Sequence, residues 1–552
     1  MIAVRCSAKL TDRERGGLEL KMGAADKVEL ARTALDGSET DSVNRARRLS
    51  LLRYSPALVL LAVAIVDTYR LADPDLWGHV FSGRLILATG HFIKTDPFNY
   101  SVPNHVWLHH EWLSEVIDAG IFARFGVLGL KLLKFACSAA VVVFVVLAIV
   151  ETGASITIQL AVTLLTALAI ALEMQYRPQM FSFVFFSGFV WLLTRANYGG
   201  RAPLWIGVPL LALWSNLHGG FIIGVLAIAT YAAVVGTQDL LAGRGVRRGL
   251  AIGTIAVLGL AASLASPIAT EAWRAIIVSF RNPLTSRVMG DWCPLISRLI
   301  SEPASSPMGF YCWYSAALIG GTAILFAIVP IADDFPLVGI GALMSLAAFS
   351  ATRNIAFAAI AIAPVLARRL SILATRSSSE PEKPTTPRGL TNEAVALVIA
   401  IAITASTGLF SLRMPDSVAS PAGAVVFMKS HRLHGNILNE FTWGQYLIWH
   451  MAPESKVFID GRFDLVYPLD VIAEYTEFQF GSHASAVLLA KYPHDYVLVR
   501  PTTGAFDLMT HRSDWKLIYR DAQAALFARA DSAAAKIVGV PVEGEALIDY
   551  FP

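Results

Sequence analysis

Asp73-Pro74-Asp75-Leu76-Trp77-Gly78-His79 stands directly behind the first long apolar run of the chain, residues 57–66. Carboxylates and imidazoles are costly at a bilayer boundary, and those kept there pair, bind a ligand or do chemistry. The same stretch leads on to Asp96, His109, His110, Glu111 and Glu115. So many ionisable groups beside a span read first as the site of an enzyme at a membrane surface. The plainer role for Asp73 and Asp75 is to end and cap helices.

Composition sets the broad class. Of 552 residues 55% are hydrophobic and 16% charged, and the mean hydropathy is +0.55. Soluble domains carry roughly 25% charged residues, so most of this chain faces lipid or other spans. A net charge of +3 is too small to point to nucleic acid. Cys6, Cys137, Cys293 and Cys312 lie far apart with no C-x-x-C pair, which gives neither a zinc site nor a disulfide framework.

Residues 1–53 mix acids and bases and lack the apolar segment of a signal peptide. They read as a cytoplasmic tail, since Arg45, Arg47, Arg48 and Arg53 stay inside by the positive-inside rule. A hydrocarbon core ~30 Å thick needs about 20 apolar residues per crossing. Such stretches fall near 55–71, 127–150, 155–173, 179–194, 203–217, 220–240, 249–266, 310–331, 336–350, 354–369 and 393–412. That predicts a mainly α, polytopic helical bundle of about eleven spans over 54–413, with a first outer loop at 72–126. Arginines agree with the parity: Arg195 and Arg201, then Arg244, Arg247 and Arg248, then Arg368, Arg369 and Arg376 fall in loops assigned inside. The chain is therefore expected in the inner (plasma) membrane, in contact with membrane lipids.

Parity carries every polar interruption to one face. Residues 73–115, Tyr176-Arg177-Pro178-Gln179, Asn216-Leu217-His218-Gly219-Gly220, residues 267–309 and Thr352-Arg353-Asn354 all fall outside. Ordinary helix ends would divide between the faces, so these segments are expected to line one extracytoplasmic cavity. Residues 371–392, rich in Ser and Pro, read as a cytoplasmic linker. Beyond the last span, residues 414–552 read as an extracytoplasmic α/β domain. Its short strands near 435–439, 456–460, 496–499, 515–519 and 525–528 alternate with amphipathic stretches, which predicts a mainly parallel sheet.

The run Asp73-x-Asp75-x-Trp77-x-His79-x3-Gly83, Thr95-Asp96-Pro97-Phe98-x-Tyr100-Ser101 and Trp107-x2-His110-Glu111-Trp112-Leu113 resembles bacterial polytopic proteins of the GT-C glycosyltransferase class. Arg177-Pro178-Gln179, Trp214-x-Asn216-x-His218-Gly219-Gly220, Arg353-Asn354, Trp443-Gly444-x-Tyr446-Leu447 and Asp460-Gly461-Arg462 extend the resemblance over about 55–530. It implies transfer of a sugar from a polyprenyl-phosphate donor to a glycan, lipid or protein acceptor at the outer face. It also implies that an acid of the first outer loop, Asp73 or Asp75, is base or metal ligand. No Trp-Trp-Asp sequence occurs, which departs from the oligosaccharyltransferase branch and argues against Asn glycosylation.

The residue types suit that chemistry. Displacing a phosphate from a sugar needs a base at the acceptor hydroxyl and positive charge on the leaving group. Asp73 and Asp75, two apart in a turn, can also grip a divalent cation (Mg or Mn), with Glu111 or His79 completing the shell. Arg177 and Arg353 suit a phosphate, which a guanidinium binds in two-pronged fashion, though arginines at span ends also snorkel to head groups. His79, His110, Asn216 and His218 complete the expected substrate-binding set. For Asn216 and His218 the plainer account is a helix break satisfied by neighbouring spans. Trp77, Trp107 and Trp112 read as interfacial-belt residues, and Asp460-Gly461-Arg462 as a strand-end turn with a structural ion pair. Two other functions compete with transfer: a transporter or flippase, and a non-catalytic scaffold for envelope polysaccharide assembly.

Overall fold

The computed structural model describes residues 56–377, 390–406, 408–415, 420–482, 485–537, 539 and 541. The tail expected over 1–53 and the centre of the linker at 378–389 lie outside the described residues; residues 371–377 complete the helix Ile355–Ser377. Each of the eleven apolar stretches coincides with a helix. Among the described residues six helices are long and apolar enough to cross a membrane: Trp112–Glu151, Gln179–Asn197, Phe221–Leu241, Pro307–Ile328, Ala332–Ser350 and Thr352–Arg376. Ile156–Ile170, Leu204–Leu217 and Val395–Ser406 are apolar but shorter. Pro56–Val66 and Arg247–Ala262, with 11 and 16 residues, also fall short of the ~20 that a full crossing takes.

Glycines shape the part of the bundle that carries the acidic loop. The helix Leu76–Thr89 stops at Gly90, in the left-handed conformation at φ 69°. The helix Trp112–Glu151 breaks at Gly126, whose φ of 60° and ψ of −151° suit only a residue without Cβ. Residues 112–125 are thus a separate arm, and they pack on Leu76–Thr89 at Gly83. A Cβ at Gly83 would overlap the Glu115 carbonyl. That close approach sets His79, one turn earlier, opposite the Glu115 side chain.

The C-terminal region holds all five expected strands: β1 (Asn436–Asn439), β2 (Lys456–Val457), β3 (Tyr496–Val499), β4 (Trp515–Arg520) and β5 (Ala525–Arg529). The order is β2-β1-β3-β5-β4. Only β2-β1 and β1-β3 are parallel; β5 runs antiparallel to both β3 and β4, so the sheet is mixed rather than mainly parallel. The cause is local. Four residues join β4 to β5, and Asp521 Oδ1 accepts from the Gln523 and Ala524 amides at 2.7 Å, closing a hairpin where a parallel crossover would need a dozen residues or more.

The acidic loop that follows Leu76–Thr89 is built into this sheet. Asn99 bridges β2 in parallel at Val457; the Val457 amide donates to Phe98 O at 3.0 Å, and the Tyr100 amide to Val457 O at 3.2 Å. Phe98, Tyr100 and Trp107 lie in the core of the C-terminal region. Each such burial is worth roughly 1.5–3 kcal/mol. Trp77 and Trp107 are 1% and 5% exposed, so neither belongs to an interfacial belt. Against the Trp107 ring Arg462 forks onto both oxygens of Asp96, at 2.8 and 2.9 Å, and onto Asp460, at 2.7 and 2.6 Å. Tyr467 and Gln445 donate to the remaining lone pairs of Asp460. The described residues from 56 onward belong to one compact unit.

This network yields a stability prediction. Arg462→Met keeps most of the volume but strands two buried carboxylates, and breaking a buried pair one-sidedly costs about 3–5 kcal/mol. Melting of the purified variant in detergent should drop accordingly; a loss below about 1 kcal/mol would show that the loop and sheet dock without it.

Candidate active site

A cavity of about 640 Å³ opens where one set of helix ends meets the C-terminal region. Asp75, His79, His110, Glu111, Arg177, His218 and Arg353 all line it, contributed by five separate stretches of chain. Of the expected set, Asp73 and Asn216 stand behind the wall. Asp73 is 1% exposed; its Oδ1 accepts from the Asp75 amide at 2.9 Å, and its Oδ2 takes the Arg177 Nε. Asn216 bonds Trp112 Nε1 at 3.0 Å and the carbonyls of Ala212 and Ala265 at 2.8 and 3.1 Å. Its side chain is thereby fully engaged in contacts at the end of the helix Gly207–Leu217.

Asp75 sits at the start of Leu76–Thr89, facing Gly461. A Cβ on Gly461 would overlap the Asp75 carboxylate, so the Asp-Gly-Arg turn is shaped to admit it. Burial, aided by the Asp73 charge, pushes the Asp75 carboxyl up to about 7, against the opposing pull of Arg177 and His79. A carboxyl at that value exchanges protons near neutral pH, as a general base must.

His79 is held by a carboxylate from behind: its Nδ1 lies 3.0 Å from Glu115 Oε1, while the other Glu115 oxygen takes His109 Nε2. His79 Nε2 is left facing the cavity, 4.0 Å from Glu111. Burial disfavours the charged ring, but the Glu115 bond and the charges of Glu111, Glu115 and Asp75 outweigh it and raise His79 to about 10. It is an imidazolium.

His218 is the opposite case. Its Nδ1 accepts from the Gly220 amide at 2.9 Å and from Ser182 Oγ at 2.7 Å, and Ser182 in turn accepts from Trp214 Nε1 at 2.7 Å. With Nδ1 an acceptor, the ring proton belongs on Nε2, 3.5 Å from Glu111. Burial, reinforced by the Arg353 charge, holds His218 neutral, well below its ordinary value. Gly219 and Gly220 leave room for the two rings, since a Cβ there would press on His110 and on His218. Glu111 is thus ringed by His79, His110 and His218, with His110 Nε2 at 3.7 Å.

The cationic wall includes a residue that the sequence did not single out. Asp291 Oδ2 lies 3.1 Å from Arg177 Nη1 and 3.8 Å from Arg353 Nη1. Arg353 also bonds Gln179 Oε1 at 3.1 Å and stacks 4.7 Å from the Trp292 ring. Burial would raise the Asp291 carboxyl, but Arg353 and Arg177 keep it below the usual carboxylate range. Asp291 lies in a non-repetitive segment between helices, where no periodicity marks it. Only the one-sided clustering of polar interruptions hinted at that segment.

A divalent cation held by Asp73 and Asp75 does not fit these residues. Both Asp73 oxygens are taken by protein donors, and among the described residues no three His, Cys, Asp or Glu side chains converge as a metal site.

Glu115→Gln provides a test of the imidazole pair. Without the carboxylate, His79 should titrate well below about 10, followed by NMR of ring-labelled histidine in detergent. An unmoved titration would mean that Glu111 and Asp75 alone keep the ring charged.

No family model and no curated protein matches the chain. Among solved structures it is similar to the archaeal oligosaccharyltransferase AglB from Archaeoglobus fulgidus in complex with an inhibitory peptide and a dolichol-phosphate, at 13% identity and a TM-score of 0.49, over 86% of this chain and 74% of that one. The apo form of the Archaeoglobus fulgidus oligosaccharyltransferase gives 13% identity and a TM-score of 0.47, over 89% and 76%. ArnT from Cupriavidus metallidurans bound to undecaprenyl phosphate gives 11% identity and a TM-score of 0.45, over 88% and 98%. Likeness at this level carries no residue role from those proteins to this one.

Proposed function

We propose that the chain is an integral-membrane glycosyltransferase that moves a sugar from a polyprenyl-phosphate donor to an envelope glycan, lipid or protein acceptor at the outer face. In this reading the eleven helices are all spans, the N-terminus is cytoplasmic and the region 414–552 is extracytoplasmic. The observation that carries it is one cavity lined both by the Asp75 carboxyl, which burial raises, and by the paired arginines Arg177 and Arg353. Transfer needs these two poles together. A transporter would place its polar groups on broken helices near the bilayer midplane, whereas these come from helix ends and loops at one end of the bundle.

Asp75 takes the proton from the acceptor hydroxyl as that oxygen bonds to the anomeric carbon. The bond from that carbon to the phosphate oxygen breaks, and its electron pair leaves with the lipid phosphate. Arg177 and Arg353 receive the charge in planar, paired form. His79, as imidazolium, and the Nε2–H of His218 supply further donors to the sugar or phosphate, while Glu111 and His110 orient hydroxyls. Asp73 acts through Arg177 and the Asp75 amide as a positioning residue, and Asn216 supports the His218 turn.

Asp75→Asn, which retains size and capping ability, should lower turnover by about two to four orders of magnitude with little change in folding. Turnover of the unaltered protein should rise as pH passes upward through about 7, because the base works only when ionised. Both are read from label transfer out of a polyprenyl-phosphate-sugar pool in membranes. A flat pH profile with an active Asp75→Asn variant would remove Asp75 from the chemistry.

Sidedness is tested separately. A reporter active only outside the cytoplasm should work when fused after Pro552 and fail when inserted near Ser378. The reverse result would turn the cavity to the cytoplasm and favour a soluble nucleotide-sugar donor.

A further inference from the structure

We infer that Asp291 is an internal stand-in for the donor phosphate: its carboxylate occupies the anion subsite between Arg177 and Arg353 and swings out when a lipid phosphate enters. The inference rests on the transferase reading and assigns that site a residue which binds in the substrate's place.

The geometry argues for exchange rather than support. A single oxygen, Asp291 Oδ2, addresses both guanidinium groups, as one oxygen of a bridging phosphate would. Neither arginine needs it to keep its aim. Arg177 is gripped through Nε by the fully buried Asp73, and Arg353 by the Gln179 amide and the Trp292 ring. Removing the Asp291 charge therefore frees two oriented cations.

The turn that carries Asp291 is fixed, so only the side chain has to move. Thr352 Oγ1 donates to the Asp291 carbonyl at 3.1 Å, and the Thr352 amide to the Cys293 carbonyl at 3.0 Å. Arg298 holds the Gly290 carbonyl at 2.8 Å. The Asp291 side chain keeps 28% of its surface open while that of Asp73 keeps none, so one carboxylate can leave and the other cannot. The donor phosphodiester matches the carboxylate in charge and offers more acceptor oxygens, and the phosphomonoester released by transfer carries more charge as well, so either can displace Asp291 by competition and repulsion.

The sign of one substitution decides the matter. In the full-length protein, Asp291→Asn should tighten binding of a short-chain polyprenyl phosphate by about tenfold, since the competing occupant of the site is gone. Arg177→Ala and Arg353→Ala should weaken it. Asp291→Ser, smaller and uncharged, should tighten it as well and serves if the Asn variant folds poorly. If the arginine variants lose affinity while both Asp291 variants lose it too or stay level, Asp291 is a support, and the stand-in role falls with the donor reading intact. If all variants bind like the unaltered protein, the arginines do not hold phosphate and both readings fall. Inorganic phosphate is titrated in parallel. Binding as tight as that of the lipid phosphate would overturn the lipid-linked part and leave a free-phosphate subsite.

Discussion

A guanidinium buried between two carboxylates ties the acidic loop to the C-terminal sheet, and the cavity exists because of that tie. Arg462 pairs with Asp96 from the loop and with Asp460 from the turn after β2, and its plane lies 4.5 Å from the Trp107 ring. The same turn presents Gly461 to Asp75 and Asp464 to Ser279 and Asn282 of the segment before Asp291, at 3.0 and 3.2 Å. One buried ion network therefore sets three walls of the cavity at once. Such a network adds little net stability compared with an apolar core, but losing one of its partners leaves a buried charge unpaired and is strongly destabilising.

Within the cavity, burial and charge act on similar groups with opposite results. Asp75 and His218 lack enough opposite charge to offset burial, so Asp75 moves to about 7 and His218 stays neutral. His79 and Asp291 have such partners and remain ionised. A proton acceptor, a neutral donor and fixed cations thus share one space. Sequence spacing cannot sort these states, because each depends on which groups lie opposite across the cavity.

Much of the helical architecture could be read from apolar run length alone. The eleven stretches, the five strands, and Asp75, His79, His110, Glu111, Arg177, His218 and Arg353 were legible because hydrophobic runs and their polar interruptions are local in the chain. The parallel sheet was misread because strand direction depends on the length of the β4–β5 connection as well as on alternation. Trp107 looked like a belt residue because its partners, Arg462 and the sheet core, lie far along the chain.

What the sequence by itself determined was a polytopic helical protein whose polar residues gather on one side, since that follows from the cost of placing charge and unpaired backbone in lipid. Only the tertiary structure decided what those residues do to one another. It set Asp73 behind the wall on Arg177, placed Asp291 between two arginines, and put Glu115 under His79. Each pairing joins residues with no fixed sequence spacing, and ionisation in a cavity follows distance in space.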